Sequence, residues 1–219
     1  MHVTLTDLRR HPGAQAGLGH AIAASADSPV PHHLIIAADS FCDRGRMDHL
    51  LATDRLMSQR NPWGIVPGEA AGVLWLRHGG DAGQGRIAGL GLAHEDVPED
   101  AEAETDYRAL SLAVREACKD AEPRAVAGWW ADANNSRYRA AEVAHALVRA
   151  APFWLMPGVE PDYPALAFGD CGAASGLTAL HCALASGVGA GLITLSAPGG
   201  ARSAIRLTGG AASGPAALG

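Results

Sequence analysis

Candidate chemistry in this 219-residue chain gathers where a cysteine or a carboxylate meets the start of a helix. Cys171 opens the small-residue stretch 172–186, GAASGLTALHCALAS. A helix N-terminus favours thiolate, which would make this cysteine a nucleophile. The same residue also reads as a small buried apolar side chain, the commoner fate of an unpaired cysteine. Cys42, Cys118 and Cys182 form no C-x-x-C pair with it or with one another. Free thiols are therefore expected, rather than disulfides or a zinc site. His20, His145 and His181 fall inside helical stretches at no metal-ligand spacing and read as core or surface histidines. His32-His33 precede a strand, and an adjacent pair in a loop points to no particular metal. Neither a metal nor a cofactor is expected. Arg44, Arg46 and Arg55 alternate with Asp43, Asp48 and Asp54. Such a helix is either a solvated face or a dock for an acidic protein.

Composition narrows the setting. Apolar residues make up 48% of the chain, enough for a full core, and the formal charge is -6 without any basic block. Nucleic acid is thus an unsuitable partner. No apolar run reaches the length of a membrane span and the N-terminus has no signal-peptide pattern, so a cytoplasmic protein is expected. Lys119 is the sole lysine among 17 basic residues, which we attribute to codon usage.

The elements that would position these groups recur. The stretch 61–76, NPWGIVPGEAAGVLWL, holds a Pro/Gly turn, a second tight bend and an apolar run of strand length. Residues 11–25 and 172–186 both read as small-residue helices sharing G-A-x-(A/S)-G-L. Gly13, Ala14, Gly17 and Leu18 correspond to Gly172, Ala173, Gly176 and Leu177. Each helix is followed by a strand ending in serine (34–40 and 192–196), a Gly-rich bend, and another strand (68–76 and 199–207). Helix, strand, bend and strand thus occur twice in one order, the mark of a duplicated unit. Between the copies lie a helical insertion at 43–56, a strand with alternate glycines at 86–93 and an acidic loop at 94–105. A helix follows at 106–121 with Leu110, Ala113, Val114 and Ala117 on one face. Next come a strand at 125–130, a helix at 137–150 with Ala141, Ala144, His145 and Val148 at helical spacing, a loop at 157–164 and a strand at 165–168. Alternating strands and helices predict a mostly parallel sheet covered by helices.

The duplicated unit, LIIAADS at 34–40, NPWGIVPGEAAGVLWL, Glu142 in its helix, GDCGAASGL at 169–177 and the terminal SAPGGARSAIRL hairpin together resemble the β-ketoacyl-acyl-carrier-protein synthases. The resemblance runs through nearly the whole chain in the family's order. It implies an α/β, thiolase-like layered αβα fold with two similar halves, the first incomplete: residues 1–93 an incomplete first half, 94–208 the second, and 209–219 a disordered tail. The family condenses acyl chains with a cysteine at a helix N-terminus and two histidines that assist decarboxylation and stabilise an oxyanion. The positions here that match that site are Ala14, Asp132 and Asp170, so none of the three side chains is retained. A carboxylate donates no hydrogen bond to an oxyanion unless protonated, so Asp170 replaces a histidine poorly. The resemblance therefore implies a chain without condensing activity, acting as a structural or chain-length-factor-type partner in acyl-carrier-linked metabolism. Two alternatives stay open: an acyltransferase using the displaced nucleophile Cys171, and an accessory protein associated with secretion effectors. The implied partners are a second copy meeting through the region 30–76, a synthase-like chain, and an acyl carrier protein.

Overall fold

The computed structural model describes residues 17–79, 83–99, 101 and 103–209. Residues 1–16 and 210–219, and with them Gly13, Ala14, the start of the first small-residue helix and most of the expected disordered tail, lie outside the described residues. Two sheets enclose a layer of two helices. One sheet is a two-stranded antiparallel ribbon, β1 (His32–Ser40) with β2 (Glu69–Arg77), paired from His32↔Arg77 to Ser40↔Glu69. The other has five strands in the order β3-β7-β6-β4-β5: Arg86–His94, Ala201–Thr208, Ala190–Ser196, Gly128–Ala131 and Pro161–Asp162.

Helices α1 (Gly17–Ala26) and α6 (Ser175–Ala185) lie between the sheets. Leu18, Ile22, Leu177, Leu180 and Ala183 meet Ile193, Leu195, Ile205 and Leu207 of the large sheet, while Ile35, Ala37, Leu74 and Leu76 of the ribbon close the cluster from the other side. The outer face of the large sheet is covered by α3 (Arg108–Cys118) and α4 (Arg137–Trp154). There Leu110, Ala113, Val114 and Ala117 pack with Val143, Ala146 and Ala150 over Trp129, Ala131, Leu192 and Ala204. The repeated order α1-β1-β2 and α6-β6-β7, each a helix followed by an antiparallel strand pair, is the duplication expected from the sequence. Among the described residues the strands of the first copy form a two-stranded ribbon, and those of the second belong to a five-stranded sheet.

Four expectations need correction. The large sheet is mixed, not mostly parallel: β4 is parallel to β5 and β6, but β7 is antiparallel to both its neighbours. Residues 165–168 form a single helical turn, α5, entered through Pro164 with its fixed φ and ended by Gly169 at φ 75. The strand in that region is β5, within what reads as a loop. In α4 the stripe Ala144, His145 and Val148 faces outward, Val148 being 75% exposed. The face turned inward carries Arg139, Glu142, Val143 and Ala146, and its two charges hide it from a search for apolar spacing. Finally, Pro152 lies inside the last turn of α4, and the helix runs on to Trp154. The strand with alternate glycines, β3, is an edge of the large sheet, where it pairs with β7.

Those glycines have a steric cause. A Cβ on Gly89 or Gly91 would stand 1.9 Å from the carbonyl oxygen of Ala117 or Ala113. Helix α3 therefore rests directly on the backbone of β3. Gly91→Val is expected to destabilise the chain by roughly 2–3 kcal/mol or more, since overpacking forces backbone shifts, whereas Val148→Ser on the exposed face of α4 should change stability by no more than about 0.5 kcal/mol. Urea denaturation of the two variants beside the parent measures both.

Candidate functional site

Strand β4 ends at Ala131 against β6, which delivers Asp132 to the carboxyl edge of the sheet. The Ser196 N–H donates to Asp132 Oδ2 at 2.8 Å. Arg139, in the first turn of α4, points back at the same loop. Its Nη1 lies 3.3 Å from the Asp132 carbonyl and 3.8 Å from Oδ2, and its Nε donates to Glu99 at 3.0 Å. Arg139 is thus shared between two carboxylates.

Asp170 arrives from the other side, just ahead of the turn Gly172–Ala174 that leads into α6. Its Oδ1 accepts from Gly172 N–H at 2.9 Å and from the Ser175 hydroxyl at 3.4 Å, and Oδ2 accepts from Asn134 Nδ2 at 2.5 Å. The backbone around it is fixed by the segment before β2. Asp170 N–H donates to Val66 O at 2.7 Å and Gly68 N–H to Asp170 O at 3.0 Å. This contact is possible because Gly68 and Gly169 lie so close that a Cβ on Gly68 would sit 2.2 Å from Phe168 O. Asn135, at φ 73, completes the junction by donating to Pro62 O at 2.9 Å and Gly64 O at 3.0 Å, while the Arg137 guanidinium lies 4.7 Å from the centre of the Trp63 ring. The Pro/Gly turn at 61–64 thus buttresses the loop that carries Asp132 and Asn134.

Behind this loop lies a second polar cluster. Glu142 and Arg202, 0% and 1% exposed, form a direct ion pair. Glu142 also accepts from the Ser196 hydroxyl at 2.8 Å, and Arg202 donates to Ala197 O and Ala201 O and reaches the Tyr138 hydroxyl at 3.4 Å. Ser196 connects the clusters, its backbone bound to Asp132 and its hydroxyl to Glu142.

Burial pushes Asp132 up to about 7. Arg139 and the Ser196 N–H draw it down, while the charges of Asp170 and Glu142 raise it further. Burial also raises Glu142, against the pull of Arg202. Glu99 is lowered: burial opposes its ionisation, but Arg139 prevails. At Cys171 burial works against the helix-start effect. Its thiol is pushed up by burial first and by the neighbouring Asp170 charge next. Its Sγ lies 3.7 Å from Phe168 O and 3.6 Å from Gly169 O, so a thiolate would face two carbonyl oxygens. The residue ahead of a helix in charge-stabilising contact is Asp39, at the end of β1. It accepts from Ala173 N–H at 3.0 Å and pairs with Arg46 at 2.5 Å. Burial works against its charge, yet these partners bring it below the ordinary carboxylate value.

Of the three positions singled out in the sequence, the structure joins two. Asp132 and Asp170 both feel the Arg139 charge and each other's, and Ala14 lies outside the described residues. The space between Asp132, Gly169, Cys171, Ser175 and Thr178 is ≈ 10 Å³, room for one water molecule and far too small for an acyl chain. Among the described residues no cluster of His, Cys, Asp or Glu has the arrangement of a metal site. The four cysteines are free thiols. Arg139 and Glu99 were not legible as site residues. The one available signal was the i, i+3 pair Arg139/Glu142 inside an alanine-rich helix.

No family model matches the sequence, and no curated protein does. Solved structures do match. A ketosynthase from module 6 of the bacillaene synthase of Bacillus subtilis 168 superposes with a TM-score of 0.75 at 12% identity, over 89% of this chain and 45% of that one. The chain has the thiolase-like ketosynthase fold. The ishigamide ketosynthase/chain length factor gives a TM-score of 0.70 at 17% identity, over 87% of this chain and 57% of that one. A type II PKS acyl-carrier protein in complex with its ketosynthase bound to the hexaketide gives 0.71 at 15% identity, over 91% and 61%. The chain spans about half the length of the ketosynthases it matches. Among the described residues no helix is long and apolar enough to cross a membrane.

The raised Asp132 has a consequence for stability. A carboxylate that titrates near 7 when folded and near 3.8 when unfolded favours the folded state most at low pH. Its contribution falls as pH rises from about 4 to about 7 and is fully lost above that. Asp132→Asn, which keeps an acceptor for Ser196, should remove this slope. Parent and variant melting temperatures are expected to diverge by several degrees between pH 5 and pH 8, the parent declining more. Parallel melting curves would show that Asp132 is ionised throughout this range.

Proposed function

We propose that this chain is a ketosynthase-like partner without condensing activity, serving a structural or chain-length-factor-type role in acyl-carrier-linked metabolism. The observation that carries the reading is the substitution of a buried carboxylate pair, Asp132 and Asp170, at the positions where the ketosynthase resemblance implies histidines. Both carboxylates are committed to internal partners: Asp132 to Ser196 N–H and Arg139, Asp170 to Gly172 N–H, Ser175 and Asn134. Asp132 held protonated could donate a hydrogen bond, but the space before it admits only a water. Cys171 as a displaced acyl acceptor is the weaker reading, because burial and two carbonyl neighbours oppose its thiolate. A ketosynthase/chain length factor pair and an acyl-carrier complex among the matched structures favour a synthase-like chain and an acyl carrier protein as partners. The exposed Arg44 and the half-exposed Arg46 on α2 (Arg44–Ala52) would be the basic groups offered to an acidic carrier. The two-half division, the second half running to about residue 208, belongs to this reading, as does a cytoplasmic setting. Nothing in the described residues speaks for the association with secretion effectors.

Purified chain incubated with malonyl- and acyl-carrier substrates should yield no 3-oxoacyl product above a no-protein blank. Product formation that Cys171→Ser abolishes would reverse the proposal in favour of an acyltransferase. The Cys171 thiol should also react with iodoacetamide at pH 7.5 well below the rate of Cys42, which is exposed.

A further inference from the structure

The two copies of the helix–strand–strand unit differ in what surrounds them. In the second, the β6–β7 pair has β4 parallel to it beyond β6 and β3 antiparallel beyond β7. Its outer face is covered by α3 and α4. In the first, β1 and β2 pair only with each other among the described residues. The outer face of this ribbon carries Leu34 opposite Trp75 and Ile36 opposite Val73, 53%, 69%, 64% and 50% exposed. His32 and Arg77 stand at one end of this face and Glu69 at the other. The centre is apolar and free of charge. Nine-residue strands with two open edges and one bare apolar face are a template for another polypeptide.

We propose that this face docks an α/β polypeptide that supplies to β1 and β2 what residues 86–162 supply to β6 and β7: a strand parallel to β1, a strand antiparallel to β2, and helices whose apolar stripe covers Leu34, Ile36, Val73 and Trp75. The inference rests on the partner role proposed above and names the surface and the kind of partner. A second copy of this chain is the competing occupant, and area decides against it. The four side chains present on the order of 400 Å². Two ribbons packed face to face would bury about 800 Å² in total, short of the roughly 1,200 Å² of a stable interface, and would leave every strand edge open. A strand-supplying partner buries the face and pairs the edges together.

The test is site-specific photo-crosslinking of the full chain in its own cells. Trp75→p-benzoylphenylalanine places the probe in the centre of the ribbon face, and Val148→p-benzoylphenylalanine on the outer side of α4 is the control. A single dominant adduct at position 75, absent at 148, is expected. Mass spectrometry should identify its second component as an α/β polypeptide, which co-expression should return as a 1:1 complex by light scattering. Ile36→Lys with Val73→Lys, both at exposed positions, should leave the fold intact by circular dichroism and weaken that complex at least about tenfold. Four results overturn the proposal: an adduct to a second copy of the chain, an adduct to its own residues 1–16, an adduct to a small acyl carrier protein, or no adduct above the control. None of them bears on condensing activity, and product formation by the purified chain would leave the docking surface standing.

Discussion

A pair of opposite charges removed from water governs the second half of this molecule. Glu142 on α4 and Arg202 on β7 are almost wholly buried, and either one left alone would be strongly destabilising. Together, with Ser196 and two backbone carbonyls as further partners, they are satisfied only when α4 sits in one register against β6 and β7. That register fixes where Arg139, one turn earlier, can reach, and hence where Asp132 and Glu99 are held. A purely apolar α4 would slide more freely over the sheet. The ion pair gives geometric definition rather than large net stability.

The duplicated architecture was legible because backbone closeness writes itself into small residues. The small residues of α1 and α6 mark helices squeezed between two sheets, and alternate glycines in β3 mark a helix resting on a strand. What stayed illegible follows from the same logic. The buried face of α4 is studded with charges, so apolar periodicity selected the wrong side. The turn at 165–168 is too short for any period to show, and its identity is set by Pro164 and Gly169 at its ends. Sheet direction depends on connections that no local pattern encodes.

The candidate site carries a further lesson about position and chemistry. Cys171 stands at a helix entrance, where the dipole argument favours thiolate, yet burial and adjacent carbonyls win. The carboxylates that do meet the helix entrance are Asp170, next in sequence, and Asp39, which comes from β1 and therefore has no sequence signature near the helix. Asp132 and Asp170 face neither solvent nor a cavity of useful size, but donors from their own chain.

The ribbon's dependence on Asp39 and Ala173 sets an order of events during synthesis. These two residues are separated by 134 positions, and the helix against which Leu74 and Leu76 pack is made later still than β2. A ribosome therefore releases β1 and β2 long before the surface that holds them exists. Through that interval both faces of the ribbon are apolar and uncovered, a state prone to mispairing. Long-range closure of this kind is slow. The early-made strands thus stay open to mispairing until α6 has been translated.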